Sequence, residues 1–134
     1  MRPYSHFLDQ LRGAGLRPTR QRLALAKLLF ESGDRHVTAE MLHAEALGKN
    51  VRVSLATVYN TLHQFTKAGL LSEIVVDTSR FYFDTNTSKH HHLYYEDSGE
   101  LEDVDAAEIT VSGPIVAPDG MQVKSVNVVV RIGK

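Results

Sequence analysis

Three consecutive histidines, residues 90–92, are the first feature of this chain whose residue types can do chemistry. They begin a segment rich in aromatic residues, a pattern that predicts a β-strand. Alternate side chains of a strand share a face, so His90 and His92 should point together and His91 away from them. Two imidazoles so placed can bind one metal ion at roughly 2.0–2.1 Å, although such an ion needs further ligands. A run of three histidines can equally be a solvent-exposed strand end.

The 134-residue chain contains no cysteine, which excludes disulfides, thiolate zinc sites and cysteine nucleophiles. Metal chemistry therefore has to depend on the seven histidines and on carboxylates. Asp84, shortly before the histidine run, and the remote His36 are the candidates for the two missing ligands. The other histidines are expected on surface or helix faces with no assigned role, and they are His6, His43 and His63.

A metal held by histidines and a carboxylate can also activate water for hydrolysis. The sequence shows no separate general base at a spacing that would indicate catalysis. It also has no glycine loop for a phosphate and no nucleophile elbow. We therefore predict that the chain is not an enzyme.

A second candidate site lies on a predicted helix that Ser54 caps, running from Leu55 to about Ala68. One face is an apolar stripe for the core, formed by Leu55, Val58, Leu62 and Phe65. On the other face Asn60 and Gln64, one turn apart, can read adenine edges in a major groove. Hydroxyl groups there can donate to phosphates, and they belong to Thr57, Tyr59 and Thr61. The same face could instead be ordinary solvated surface or contact a protein.

Charge is unevenly distributed along the chain. Residues 1–70 contain ten Lys/Arg against five Asp/Glu, a net +5, and residues 71–134 contain five against eleven, a net −6. A basic N-terminal module suits contact with phosphates. Arg17 and Arg20 flank the start of the second predicted helix, and Arg80 lies in a predicted hairpin.

Helical spacing of apolar residues predicts three further helices before the one that Ser54 caps. Pro3 opens the first, with Tyr4 on its apolar face. Thr19 caps the second, which runs through Phe30, and Thr38 caps a third. Each helix thus has a start signal that the sequence itself provides.

After Gly69 the pattern changes to that of strands. Residues 70–76 and 80–83 flank a turn cluster and predict a β-hairpin, and helices followed by a hairpin are the order of a winged helix-turn-helix. A second hairpin is predicted from residues 90–95 and 100–104, and alternating valines predict a final strand over residues 123–132.

We therefore predict an α+β fold in two domains. Residues 1–84 form an N-terminal winged helix-turn-helix domain. Residues 85–134 form a small C-terminal α/β domain with an antiparallel sheet.

Four stretches in order resemble the ferric uptake regulator family. The resemblance covers nearly the whole chain, and its most specific element is the Ala-Thr-Val-Tyr of the predicted DNA-recognition helix. The matching stretches are Gly15-Leu16-Arg17-Pro18-Thr19-Arg20-Gln21-Arg22, His36-Val37-Thr38-Ala39-Glu40, Leu55-Ala56-Thr57-Val58-Tyr59-Asn60-Thr61-Leu62 and His90-His91-His92-Leu93.

Departures from the family pattern indicate which branch of the family the chain resembles. Tyr95 and Ser98 stand where the family has a zinc-binding Cys-x-x-Cys, and Asn60 stands where an arginine usually follows the tyrosine. A histidine common near the final strand is replaced within residues 126–127. With the triple histidine and the tail 128–132, these losses look like the iron response regulator branch, in which the histidine run is implicated in heme binding.

The resemblance implies residue roles. The inter-domain metal site would consist of His36, Asp84, His90 and His92. Heme would bind at His90, His91 or His92 and compete for the same imidazoles. A ligand favouring one angle between the domains would shift the DNA-binding population. Arg17 is expected near the minor groove or backbone, and Tyr59 and Asn60 in the major groove.

Family resemblance also implies the partners. The C-terminal domain would form a homodimer, which would bind double-stranded DNA at an AT-rich palindromic operator with half-sites about 34–36 Å apart or a multiple of that. The cofactor would be heme and/or a divalent Fe, Mn or Zn ion. The alternatives are a conventional metal-responsive repressor of the same family and a winged-helix module that binds protein. Without a secretory signal or an apolar run of roughly 18 residues, the expected location is the cytoplasm and no membrane contact is expected.

Overall fold

The computed structural model describes residues 5–134 and has the α+β character that the sequence predicts. The chain divides into two compact units, which meet in sequence between Thr87 and Ser88. The predicted boundary fell three residues earlier, at 84/85. The roles predicted for Pro3 and Tyr4 lie outside the described residues.

The N-terminal unit begins with the helices α1 (Ser5–Gly13), α2 (Arg20–Phe30), α3 (Ala39–Gly48) and α4 (Leu55–Lys67). The three predicted caps of α2, α3 and α4 are confirmed. Each cap side chain accepts a hydrogen bond from a backbone N–H three residues later, which satisfies a donor that the first helical turn leaves unpaired. The caps are Thr19, Thr38 and Ser54.

Helix α4 supplies the centre of the N-terminal core. Val58, Leu62 and Phe65 are fully buried, and α4 packs against α3. Leu55 was predicted to share this stripe but is 37% exposed, because it occupies the first turn, before the helix enters the core. Gly69 follows the helix with φ +84°, the left-handed conformation expected of a glycine that ends a helix. The helix is therefore held by one face and leaves the other exposed.

The sheet of the N-terminal unit has three antiparallel strands in the order β1 (His36–Val37), β3 (Arg80–Asp84), β2 (Ser72–Asp77). The predicted hairpin of β2 and β3 is confirmed. Strand β1 was not predicted, because two residues are too few for an alternating pattern to be detectable. It pairs with the end of β3, so that His36 lies opposite Asp84.

The C-terminal unit contains a three-stranded sheet in the order β5 (Glu100–Asp105), β4 (His90–Tyr95), β6 (Val129–Ile132). The hairpin of β4 and β5 is antiparallel, as predicted, but β6 pairs with β4 in parallel. The expectation of an antiparallel sheet was therefore wrong for β6. A parallel partner needs a long crossover, and residues 106–128 supply it.

The expected α/β character of this unit was also wrong. Between Ser88 and Lys134 the structure has one short 3-10 turn, Ala106–Glu108, and no α-helix. Gly113-Pro114 and Pro118 to Gly120 interrupt the crossover, and proline removes the backbone donors that a helix needs.

The final strand is shorter than its alternating valines predicted. The prediction covered residues 123–132, whereas β6 covers only Val129–Ile132. Alternation describes which side chains can share a face, but a strand also needs a ladder partner. In the described chain the pairing of β6 with β4 starts at His92↔Val129, and Val123 and Val126 are exposed. Among residues 5–134, no helix has both the length and the apolar character that crossing a bilayer requires.

Candidate metal centre and nucleic-acid interface

A buried carboxylate and an imidazole meet at the edge of the N-terminal sheet. Strand β1 places His36 opposite Asp84 of β3, with 3.2 Å between His36 Nε2 and Asp84 Oδ2. Asp84 is only 1% exposed. Its other oxygen, Oδ1, accepts a hydrogen bond from the Asn86 backbone N–H at 2.9 Å. A buried carboxylate needs a compensating charge, which a cation or a protonated His36 would supply.

Hydrogen bonds between Arg35 and Thr85 fix the backbone next to His36 and Asp84. The Arg35 N–H donates to Thr85 Oγ1 at 2.8 Å, and the Thr85 N–H donates to the Arg35 carbonyl at 3.1 Å. The Arg35 guanidinium in turn donates to both carboxylate oxygens of Glu45 on α3 and to the Leu28 carbonyl of α2. The hydrogen bond with Glu45 raises the pKa of Arg35, so the arginine remains charged. The strand carrying His36 is thus attached to α2 and α3.

A second cluster lies within the C-terminal unit. His90 and His92 share a face of β4, as predicted, with ring centroids 4.5 Å apart. Their Nε2 atoms both point at one oxygen of Asp103 on β5, at 3.3 Å from His90 and 3.4 Å from His92. Both imidazoles are nearly buried, with side chains 8% and 5% exposed. Three donor atoms therefore converge on one small volume.

The spacings within each cluster suit ligands of a single ion. Ligand atoms about 2.1 Å from an ion lie about 3.4 Å apart in a tetrahedron and about 3.0 Å apart in an octahedron. The separations of 3.2, 3.3 and 3.4 Å fall within or close to this range. They exceed the roughly 2.7–2.9 Å of a good charge-assisted hydrogen bond. Imidazole nitrogen and carboxylate oxygen suit Fe, Mn or Zn, so the residues present fit a divalent ion.

Asp103 was missed by sequence reasoning, although a usable signal existed. Once the hairpin 90–95/100–105 is assigned, pairing Tyr95 with Glu100 places Asp103 directly opposite His92. Cross-strand neighbours have Cβ atoms about 4.5–5.5 Å apart, which brings the carboxylate within reach of the ligand face. Asp103 is a neighbour of His92 only through strand pairing. Proximity along the chain, which suggested Asp84, could not reveal it.

His91, a predicted heme ligand, has a different environment from its neighbours. It points away from their face, as predicted, and is 9% exposed. Its Nδ1 accepts a hydrogen bond from the Val128 backbone N–H at 3.1 Å. A neutral His91 ring therefore carries its proton on Nε2. This hydrogen bond holds the segment before β6 against β4.

Most of the residues predicted to line the DNA-contacting face of α4 are exposed or partly exposed, and one is buried. Asn60 is exposed, and Thr57 and Tyr59 are partly exposed. Thr61 was expected on the same face, but its side chain is only 5% exposed, and this prediction was wrong. The positions i, i+3, i+4 and i+7 of a helix share a face, so Thr61 belongs to the core stripe, which consists of Val58, Thr61, Leu62 and Phe65.

The remaining predicted DNA contacts lie elsewhere in the N-terminal unit. Arg17 is exposed in the segment between α1 and α2. Arg80 starts β3, with its Nε 3.7 Å from Asp77 across the hairpin turn. Gln64 is exposed, and its amide oxygen accepts hydrogen bonds from the Arg22 guanidinium of α2. Sequence spacing could not reveal this link, because the two residues are 42 positions apart.

Comparison with known proteins identifies the class to which this fold and these clusters belong. The model of the ferric uptake regulator family matches residues 13–131. The chain belongs to that family, whose members are metal-responsive transcription regulators rather than enzymes.

Individual relatives agree with this assignment. The ferric uptake regulation protein of Cupriavidus metallidurans is 37% identical over 100 residues, which are 74% of this chain and 70% of the relative. The peroxide-responsive repressor PerR of Staphylococcus epidermidis is 37% identical over 96 residues, 72% of this chain and 63% of the relative. The ferric uptake regulator of Pseudomonas aeruginosa, solved with manganese, has a TM-score of 0.71 at 28% identity, covering 94% of this chain and 96% of that one.

Proposed function

We propose that this chain is a DNA-binding transcription regulator whose affinity for its operator is controlled by a divalent metal. The observation that carries the proposal is the buried Asp84–His36 pair at the edge of the N-terminal sheet. Arg35, next to His36 in the chain, bonds to α2 and α3, so an ion bound by the pair would act on these helices through Arg35.

A single ion would take ligands from both units. Neither histidine–carboxylate set supplies the four to six ligands that such an ion prefers, so we propose a joint site of His36, Asp84, His90 and His92, with Asp103 as an additional ligand. The ion would neutralise the negative charge of the carboxylates and fix the geometry of its ligands. Binding both sets would fix the angle between the units and so shift the population able to bind DNA.

The N-terminal unit is proposed to act as a winged helix-turn-helix, with α4 in the major groove and the β2–β3 hairpin as its wing. Tyr59 and Asn60 would contact bases, and Thr57, Arg17 and Arg80 would contact the backbone. The C-terminal unit would hold a homodimer. A two-fold dimer calls for a palindromic operator, for which we propose an AT-rich sequence with half-sites about 34–36 Å apart or a multiple of that.

The burial of Thr61 gives the first prediction. Thr61→Val should change the dissociation constant for an operator by less than about twofold, because the side chain lies in the core. Asn60→Ala, on the exposed face, should weaken binding by about 5- to 150-fold if the amide reads a base. Fluorescence anisotropy with both variants checks this. A loss in Thr61→Val as large as that in Asn60→Ala would place the Thr61 hydroxyl on DNA.

Heme control, as in the iron response regulator branch, is a second candidate, favoured by the three adjacent histidines. His91 is engaged with Val128, and the rings of His90 and His92 both face Asp103. These two rings share a face of β4 with centroids only 4.5 Å apart, so a heme could not fit between them and take both as ligands. Heme would therefore take one of these two rings and displace a metal ligand. The double variant His90→Ala/His92→Ala should then weaken both heme and Mn²⁺ binding, whereas His91→Ala should weaken neither.

The experiment that tests the proposal is fluorescence anisotropy of the purified chain with duplexes selected from genomic DNA. Five conditions are compared at two salt concentrations: metal-free, with Mn²⁺, with Mn²⁺ plus heme, with Fe²⁺, and with Fe²⁺ plus hydrogen peroxide. The last is included because one relative is named a peroxide-responsive repressor. We expect tighter binding with Mn²⁺, steep salt dependence and two-fold-symmetric protection.

The conditions distinguish between the candidate functions. Loss of binding on adding heme supports heme control, and loss with peroxide supports an oxidant response. Failure of genomic selection to recover any bound DNA, with or without Mn²⁺, would contradict the proposal and favour a winged-helix module that binds protein.

A further inference from the structure

The strongest remaining feature is a link between α2 and the exposed face of α4. Arg22 Nη2 and Nε both donate to the same atom, Gln64 Oε1, at 2.9 and 3.3 Å. Arg22 Nη1 donates to the Arg17 carbonyl at 2.8 Å. Three donors of one guanidinium thus hold Gln64 and the segment that carries Arg17 together.

The chemistry of the pair fixes the orientation of the Gln64 amide. A guanidinium has five N–H donors and no acceptor, so the amide atom that faces it has to be the oxygen. The amide NH₂ group is then the part of Gln64 that can face outward. The positive charge of Arg22 polarises the amide and makes this NH₂ group a stronger donor.

This orientation changes what Gln64 can recognise. Reading adenine requires the amide to accept from N6–H₂ and donate to N7 at once, so it needs both Oε1 and Nε2. Here Oε1 is engaged by Arg22. Guanine presents two acceptors, N7 and O6, in the major groove, and phosphate oxygens are acceptors as well.

We propose that Arg22 holds Gln64 as a donor-only contact, so that Gln64 binds a hydrogen-bond acceptor on DNA, either a guanine edge or a phosphate oxygen, and does not read adenine. Arg22 is then a positioning residue that sets specificity through Gln64. The inference depends on the proposed DNA-binding function, and it replaces the adenine contact that the sequence suggested for this residue.

The test is selection from randomised duplexes in Mn²⁺, followed by affinity measurements on single-base variants of the selected operator. The variants are Gln64→Ala, Gln64→Glu and Arg22→Met, with Gln21→Ala, an exposed glutamine on α2, as the matched control. Gln64→Glu is informative because it keeps an acceptor for Arg22 but presents no outward donor. Thermal melts identify any variant that fails to fold, and Arg22→Gln, whose amide can both donate and accept and so no longer fixes the Gln64 amide, replaces Arg22→Met in that case.

If Gln64 contacts guanine, Gln64→Ala weakens binding by about 5- to 150-fold, and only for operators with guanine at one position of each half-site. Arg22→Met frees the amide to turn, so adenine becomes acceptable at that position. If Gln64 contacts a phosphate, the loss in Gln64→Ala is the same for every sequence. In both cases Gln64→Glu binds no better than Gln64→Ala, and Gln21→Ala matches the wild type.

Two results would overturn the inference. One is a loss in Gln64→Ala confined to operators with adenine at a single position, and the other is wild-type binding by Gln64→Glu. The wild-type protein separates this failure from that of the proposed function. If it selects no DNA the function is wrong, whereas if it selects DNA and the variants behave otherwise only the role of Gln64 is wrong.

Discussion

Asp84→Asn should abolish most of the stabilisation that Mn²⁺ gives to the protein. The substitution is isosteric and keeps an oxygen to accept from the Asn86 N–H, so the fold should be retained. It removes the negative charge of a carboxylate that is 1% exposed and 3.2 Å from His36. Loss of a ligand should weaken metal binding by at least the roughly 10- to 100-fold seen when groups supporting a ligand are changed.

The size of the effect follows from mass action. At a metal concentration about 100 times the dissociation constant, binding stabilises the wild type by about 2.7 kcal/mol. A 100-fold weaker site leaves about 0.4 kcal/mol under the same conditions. Thermal melts with and without Mn²⁺ measure both values, and metal-free melts of the two proteins should be similar.

The matched control is Asp9→Asn, which removes an exposed carboxylate from the same unit. It should show the full wild-type response to Mn²⁺. A full response in Asp84→Asn as well would mean that Asp84 only caps the turn at Asn86 and is not a ligand.

The sequence predicted the local elements because local signals determine them. The caps Thr19, Thr38 and Ser54 each act on a backbone N–H only three residues away, and the predicted hairpins are closed by turns of a few residues. Strand-face alternation likewise placed His90 and His92 together.

Features that depend on distant pairing were not predictable in this way. Strand β1 consists of two residues, and only its pairing with β3 defines it. Asp103 became visible as a neighbour of His92 only through cross-strand register, and the Arg22–Gln64 link joins residues 42 positions apart. The excess length predicted for the final strand has the same origin, because valine alternation indicates a face and says nothing about a ladder partner.

Thr61 shows a different kind of error. Its hydroxyl suggested the polar face of α4, whereas helical spacing from Val58 and Phe65 assigns it to the core. Position on the helix decides burial more strongly than the polarity of a small side chain, because a threonine fits among apolar neighbours. Spacing alone would have separated Thr61 from Asn60.

Phe65→Ala should be the most destabilising single substitution in α4. The ring is fully buried and stacks on Phe30 of α2, with centroids 6.4 Å apart. Removing a buried phenylalanine ring costs about 3–5 kcal/mol, from lost burial and the cavity left behind. A domain of this size has only about 5–15 kcal/mol of stability in total. Thermal melts should therefore show the midpoint falling by roughly 12 °C or more, while Lys67→Ala on the same helix stays close to the wild type.

The dependence of DNA binding on temperature separates this effect from the loss of a contact. In Phe65→Ala, α4 keeps every side chain proposed to touch DNA, so operator affinity should approach that of the wild type well below the lowered midpoint and decline steeply near it. In Asn60→Ala the contact itself is missing, so affinity should be reduced at every temperature with no change in midpoint. Weak binding by Phe65→Ala even where melts show it folded would mean that the Phe65–Phe30 contact sets the orientation of α4 for DNA, beyond holding the unit together.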